Sequence, residues 1–379
     1  MMFRHKFMKH LGQQQAGFTL PELLIAAAMG SVLVLAILQV VVDLLRSDRD
    51  ETLRSQMQGE AAQAIDYIRE DLKGAVYIYS DLSALDDGIP SDLTNGGREP
   101  VLAFWKLKRP YDSPTDSIAT FIDNLNCAAQ STSLGQSDCL ALKEYRSFYT
   151  LVVYVLDTSS SSSYGGKARI RRYELPKFTQ TVLSSGSLTR TTGFVDPMEA
   201  GANIFSTWPY ADRARTINCQ NDAFATTCTL LAPAGGRPTV NLQTQAPVLI
   251  DYLDDPASTR ISPPACPTTK KPPPDVTEDA YRRIPSSTTA FRSFFVCVAD
   301  GGSADPQDLV LYLRTSPLGA AGKGRNGFDL PDPPTTTADK EKERQFVQEF
   351  QTRICKGGII STGDDKNTAA QSLCFGGDR

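Results

Sequence analysis

The residues of this chain with the most chemistry to offer are eight cysteines, one basic run and one isolated glutamate. Cys127, Cys139, Cys219, Cys228, Cys266, Cys297, Cys355 and Cys374 form an even set with no C-x-x-C pair. Zinc sites need close pairs to wrap one ion, so the set reads as disulfides made in an oxidising compartment, with buried free thiols as the alternative. The sequence cannot choose among the many pairings; joining neighbours, such as Cys219 with Cys228 and Cys355 with Cys374, is the simplest. Lys167, Arg169, Arg171 and Arg172, followed by Tyr173, carry enough charge to grip an anionic polymer such as a polysaccharide. The competing reading is a strand edge kept soluble by charge. The only histidines are His5 and His10, so nothing after residue 17 can build a Ser-His-Asp triad, a Cys-His pair or a His-ligated metal. The expectation is a non-enzyme with no cofactor and no metal site. The pairs Asp86-Asp87 and Asp364-Asp365 lack the alternating spacing of a calcium loop and read as solvated acids.

Glu22 is the third feature, because it stands beside residues 23–42, an apolar run interrupted only by Gly30, Ser31 and Gln39. At roughly 1.5 Å per residue that run spans about 30 Å of hydrocarbon, which predicts a membrane helix. A carboxylate at its edge is costly unless paired, and such residues are functional by default. The alternative is a glutamate at headgroup level, held by the dipole of the helix N-terminus. Arg4, Lys6 and Lys9 precede the run, whereas Asp43, Arg46, Asp48, Arg49, Asp50 and Glu51 follow it, which places the N-terminus in the cytoplasm and exports the remainder. A secretory signal peptide would be cut after its apolar core at small residues. Here Ala26-Ala27-Ala28 lies inside the core, and the polar stretch 13–15 with Ala16-Gly17 lies before it.

The octet Gly17-Phe18-Thr19-Leu20-Pro21-Glu22-Leu23-Leu24 resembles the prepilin cleavage and methylation motif of type IV pilin-like proteins. The resemblance implies that a membrane prepilin peptidase cuts after Gly17 and methylates Phe18. It also implies that Glu22, fifth in the mature chain, meets the Phe18 amine of a neighbouring subunit during assembly. Pro21 departs from the commonest form of the motif. The first four amides of a helix lack internal acceptors, so a proline there forfeits nothing. Ala26 with Gly30, and Ala27 with Ser31, have the small-xxx-small spacing that lets helices approach, though lipid-facing small residues look the same. Residues 64–72 and 75–79 resemble the larger minor pseudopilins, most of all cyanobacterial pseudopilins linked to hormogonium polysaccharide secretion.

The elements that must position these residues follow from periodicity. Leu53, Met57, Ala61, Ile65, Ile68 and Leu72 recur at three- and four-residue steps, so the membrane helix is expected to continue as an amphipathic one to about Lys73. Its total length would be about 80 Å. Gly59 marks a point of local bending or melting, and Gly74 a stop. Beyond it, β-branched and aromatic enrichment predicts strands at 75–79, 101–106, 148–156, 168–175, 248–253, 292–299 and 309–314. Residues 158–166 (TSSSSSYGG) read as a long hairpin tip. The proline-rich segments 262–275 and 330–334 read as surface loops, with Cys266 pinning the first if bridged, and 340–351 has the charge spacing of a short helix.

The expected fold is α+β: a long N-terminal helix, transmembrane then amphipathic, packed on an antiparallel β-sheet, with a disulfide-stapled, loop-rich C-terminal region. The expected segments are a cleaved leader at 1–17, an assembly helix at 18–45, its amphipathic continuation at 46–74 and an exported body at 75–379. Without Arg4, Lys6 and Lys9, 36 basic residues face 43 acidic ones, a net charge of −7 against −4 for the whole chain. Such a body has no general attraction to nucleic acid. The function expected is a minor pilin or pseudopilin of a type IV pilus or type II secretion-like filament. Its partners would be the prepilin peptidase, other pilins and an inner-membrane assembly platform, with a role in polysaccharide secretion and motility. The alternatives are a membrane-anchored enzyme acting on surface polysaccharide, and a tip adhesin or DNA-uptake subunit.

Overall fold

The structure is a computed structural model that describes residues 19–82, 85, 88–110, 122–123, 125–160, 163–179, 183, 187–197, 205, 208, 240–257, 262–269, 279–299, 308–317 and 347–355. The chain divides into two compact units, Met1–Ser55 and Gln56–Arg379. Helix α1 (Leu20–Lys73) runs through the division. In the first unit Leu20–Leu45 is an apolar stretch of 26 residues, its mean hydropathy 2.5. That is enough helix for about 39 Å against about 30 Å of hydrocarbon. Its large apolar side chains are all between 43% and 78% exposed. A helix that is apolar all round belongs in lipid or among other apolar helices, not on the surface of a soluble domain.

In the second unit the same helix behaves as the three- and four-residue spacing predicts. Met57, Ala61, Ala64, Ile65, Ile68 and Leu72 are buried, while Asp66, Arg69 and Glu70 stay outside. Gly59 causes no interruption, because α1 continues through it with open space around its Cα. Gly74 follows the last helical residue, but it is not among the glycines with positive φ. A methyl group there would make only ordinary contact with the Asp71 carbonyl at 3.7 Å. The stop therefore comes from the start of β1 at Ala75 rather than from a left-handed cap.

The body is an antiparallel sheet of β1 (Ala75–Ile78), β2 (Arg98–Lys108), β3 (Phe148–Asp157), β4 (Ala168–Pro176), β5 (Val248–Leu253), β6 (Thr268–Thr269), β7 (Asp279–Ile284), β8 (Phe294–Ala299), β9 (Asp308–Thr315) and β10 (Gln348–Cys355). Its order is β1-β2-β3-β4-β5-β9-β8-β7-β6, with β10 paired to β9 on the edge opposite β8. Only Leu253↔Thr315 joins β5 to β9, yet one core crosses this seam. Ile65, Ile68 and Leu72 of α1 share it with Phe104, Tyr154 and Ile170 on one side and with Phe294, Val296 and Leu311 on the other. The opposite face is also covered, with Ala103, Trp105, Leu151, Val153 and Val155 packed against Leu85, Phe194, Val195 and Trp208. Burial on both faces explains why β2 and β3 read as continuous apolar runs instead of alternating.

All seven strands expected from the sequence are present. The 158–166 segment joins β3 to β4, which pair along their length. Its glycines are needed for close approach: Asp251 Oδ2 accepts the amides of Gly165 and Gly166 at 3.1 Å each. A Cβ on Gly166 would collide with the Asp251 carboxylate and the Tyr252 backbone, where Tyr252 itself has φ 61°.

Other elements are additions to those expected. Helix α2 (Ser133–Tyr145) is capped by Thr132, whose Oγ1 accepts the Gly135 amide at 2.9 Å. β7 lies beside β8, and β6 in the proline-rich 262–275 segment pairs with β7. The helix expected over 340–351 is corrected where it is described: Gln348–Cys355 is strand β10, in register with β9 from Gln348↔Thr315 to Cys355↔Asp308. Pairing with the β9 edge, core contact by Phe350, and a 2.6 Å hydrogen bond from Tyr312 OH to Glu349 override the local helical preference. The earlier part of that segment and residues 330–334 lie outside the described residues.

Candidate assembly segment and ion-paired body

Gly17 and Phe18 lie outside the described residues, and the description opens at Thr19. The Thr19 carbonyl accepts the amides of Glu22 at 3.0 Å and Leu23 at 3.1 Å, which fixes the first turn of α1. Pro21 sits inside that turn, where no acceptor exists for an amide. The Glu22 side chain is exposed and within 3.4 Å of Thr19 Oγ1. No Lys or Arg occurs between residues 20 and 45, so the apolar stretch supplies no cation for this carboxylate. Ser31 satisfies its hydroxyl on the Ala28 carbonyl at 2.8 Å, within its own helix. Nothing lies within 4 Å of a Cβ built on Gly30.

The basic run is placed differently from either reading made of it. β4 is an interior strand between β3 and β5, so it is no edge, and its arginines are met by carboxylates. Arg171 Nε is 2.5 Å from Asp157, and its Nη1 donates to the Leu242 and Ala246 carbonyls at 3.0 Å each. Arg169, 1% exposed, lies 3.6 Å from both Asp157 and Asp251. Tyr164 lies over both guanidiniums at 5.3 and 5.4 Å. Lys167 is apart from them, half-buried beside Asp255 and Phe291. Guanidiniums buried and paired in this way have little charge left to offer a polymer.

Arg172 points to the other face, where it belongs to a hub that sequence reasoning missed. The Asp71 carboxylate receives Lys106 Nζ from β2, Tyr154 OH from β3 and Arg172 Nε from β4, each at 2.7 Å. One helical residue thus ties α1 to three consecutive strands. Arg172 also bridges Glu174 at 3.0 Å and lies 5.6 Å from the Tyr67 ring, one turn before Asp71. Burial alone would raise the Asp71 pKa, but Arg172, Lys106 and Tyr154 outweigh it and hold the group below the ordinary carboxylate value. Asp157 behaves alike, burial being outweighed by Arg171, Ser159 and Arg169. A third network ties α2 to the end of β4: Asp138 meets Lys177 at 2.8 Å and Arg190 at 2.7 Å, and Lys177 meets Asp196 at 2.6 Å. The signal for the Asp71 hub was an acid at the margin of the buried stripe, between Ile68 and Leu72; its partners are remote in sequence.

Two of the expected disulfides are described. Cys127–Cys139 pins the chain before α2 to the helix, and Cys266–Cys297 pins the proline-rich loop to β8. Both join cysteines adjacent in chain order. Cys219, Cys228 and Cys374 lie outside the described residues, as do the Asp86-Asp87 and Asp364-Asp365 pairs; of Cys355 only the backbone, at the end of β10, is described. Among the described residues no three His, Cys, Asp or Glu side chains come together as a metal site would require.

Residues 12–38 match the family described as prokaryotic N-terminal methylation motif. No curated protein and no solved structure matches the chain. The motif is that of a type IV pilin/pseudopilin-like subunit, and among the described residues one helix, Leu20–Leu45, is long and apolar enough to anchor it in a membrane. It implies processing by a prepilin peptidase and assembly with other pilins.

Proposed function

We propose that this protein is a minor subunit of a type IV pilus or type II secretion-like filament, cut after Gly17 and held in the filament by residues 18–45. The observation that carries this reading is the pairing of the methylation motif with an apolar half-helix whose large apolar side chains are exposed. In a filament, neighbouring helices would bury that surface, and the Phe18 amine of an adjacent subunit would supply the cation that Glu22 lacks. The excess of Arg4, Lys6 and Lys9 before the helix favours a cytoplasmic N-terminus and an exported body. Two disulfides in the body agree with an oxidising compartment. A body of this size suits a rare or tip position better than a shaft subunit. Support of polysaccharide secretion and motility is the finer part of the proposal, and it rests on the resemblance of residues 64–72 and 75–79. The body acts as a structural and binding module rather than an enzyme in this reading, since no histidine follows residue 17.

The test is filament incorporation of Glu22→Ala in cells that carry the assembly machinery. The variant is expected to insert in the membrane and be cleaved, yet to be missing from sheared filaments. Incorporation at the level of the unchanged chain would refute the role given to Glu22.

A further inference from the structure

At the end of the sheet where β3 begins and β4 finishes lies a half-open cavity of about 610 Å³, within the size range of small-ligand sites. Tyr173 lines it and is only 3% exposed. Among the described residues, other buried aromatic polar groups of the body are satisfied. Trp105 Nε1 donates to Tyr79 OH at 2.8 Å, Trp208 Nε1 to the Val195 carbonyl at 2.9 Å, Tyr154 OH to Asp71 at 2.7 Å and Tyr312 OH to Glu349 at 2.6 Å. The Tyr173 hydroxyl is the exception, with no hydrogen-bond partner among the described residues. The ring is buried in the core, but the hydroxyl is not among the sealed, unpaired polar atoms and opens on the cavity. A phenol brought to a cavity wall and left unpaired is a group held for something that enters. Burial pushes its pKa up, so it remains a proton donor throughout the physiological range.

The rest of the lining says what would enter. The cations are already matched: Lys108 pairs with Glu174 at 2.5 Å, and Arg190 with Asp138 through two contacts of 2.7 and 2.8 Å. An anionic ligand would have to compete with Glu174 and Asp138 for these cations. What remains is neutral: the Tyr173 and Thr192 hydroxyls and the amide of Gln245, whose Oε1 accepts from Asn241 at 2.8 Å and leaves its NH₂ available. The lining also includes the apolar Phe148 and Phe178, themselves packed edge to face at 5.6 Å. A lining that combines neutral donors with C–H surface matches the two aspects of a sugar ring. We infer that this cavity binds an uncharged, hydroxyl-bearing sugar unit through Tyr173, Thr192 and Gln245. The inference deepens the polysaccharide part of the reading above and requires nothing of filament assembly.

The test uses the full-length chain in a zwitterionic detergent without a sugar head group. Maltotriose, cellotriose and mannotriose are titrated and followed by saturation-transfer NMR, with trigalacturonate as the charged counterpart. At least one neutral trisaccharide should bind, and trigalacturonate should bind roughly tenfold more weakly, since its carboxylates meet cations already matched by Glu174 and Asp138. Tyr173→Phe should lower affinity roughly three- to tenfold, the range for one hydrogen bond, with its melting temperature preserved. Gln245→Ala, in an exposed loop, should act in the same direction and guards against a folding artefact. Absence of neutral-sugar binding, preference for trigalacturonate, or wild-type affinity in both variants would overturn the inference. If sugar binding fails while Glu22→Ala still abolishes incorporation, this inference falls and the assembly reading stands.

Discussion

The two ends of α1 use the same side chains to opposite effect. Leu24, Ile25, Leu33 and Ile37 stand 58–64% exposed, whereas Ile65, Ile68 and Leu72 are at most 6% exposed. Helical geometry is common to both, so the difference lies in pattern: the first stretch is apolar on every side, the second along one stripe. A stripe can be buried by the chain's own sheet. A cylinder cannot, and it must find its surroundings in lipid or in other helices. The lesson is that stability of the body and retention in the membrane should be separable by mutation.

The largest expected effect is on the first stretch. Leu33→Arg combined with Ile37→Arg places two charges near the bilayer centre at about 2.5–3.5 kcal/mol each. Fractionation should show the variant largely lost from membranes, while thermal unfolding of the body is unchanged. A lowered melting temperature would break the separation. The reciprocal change is Asp71→Ala, which strands Lys106, Tyr154 and Arg172 around a missing carboxylate. Removing one partner from such a buried cluster costs about 3–5 kcal/mol, to be read as a shift in the urea midpoint with membrane retention intact.

The smallest expected effect is the response to mild pH change. Asp71, Asp138, Asp157 and Glu174 all have folded pKa values below their ordinary ones. Their contribution is thus fully present above the unfolded values, near 3.8 for Asp and 4.5 for Glu, and is lost as pH falls through the lower folded values. With no histidine after residue 17, urea midpoints should be nearly flat from pH 5 to 8 and should fall steeply only below about pH 4. A steep change between pH 5 and 7 would show that other groups control the fold.

Much of this architecture was legible because it is local. The uniform apolarity of residues 20–45, the stripe 57–72 and the β-branched runs of β2, β3, β8 and β9 each state their structure in a few consecutive residues. What was hidden depends on partners far along the chain. Arg169, Arg171 and Arg172 look like a surface patch until Asp157, Asp251 and Asp71 are brought to them. Gln348–Cys355 follows a helix-like charge pattern, and only the waiting edge of β9 makes it a strand. Helix α2 had a readable cap in Thr132, but its short, mixed sequence offers no strong apolar stripe, and the Cys127–Cys139 bridge supplies part of its order. The assembly segment was the reverse case, since Glu22 and the octet around it were readable without any structure at all.

The central claim is that the N-terminal segment is a processed assembly device, and one measurement bears on it most directly. The full chain is co-expressed with a prepilin peptidase, and its N-terminus is read by intact-mass and tandem mass spectrometry. The account predicts a mature chain that begins at Phe18 and carries one methyl group on its amine. A chain that keeps residues 1–17, or that starts beyond the apolar helix, would contradict it.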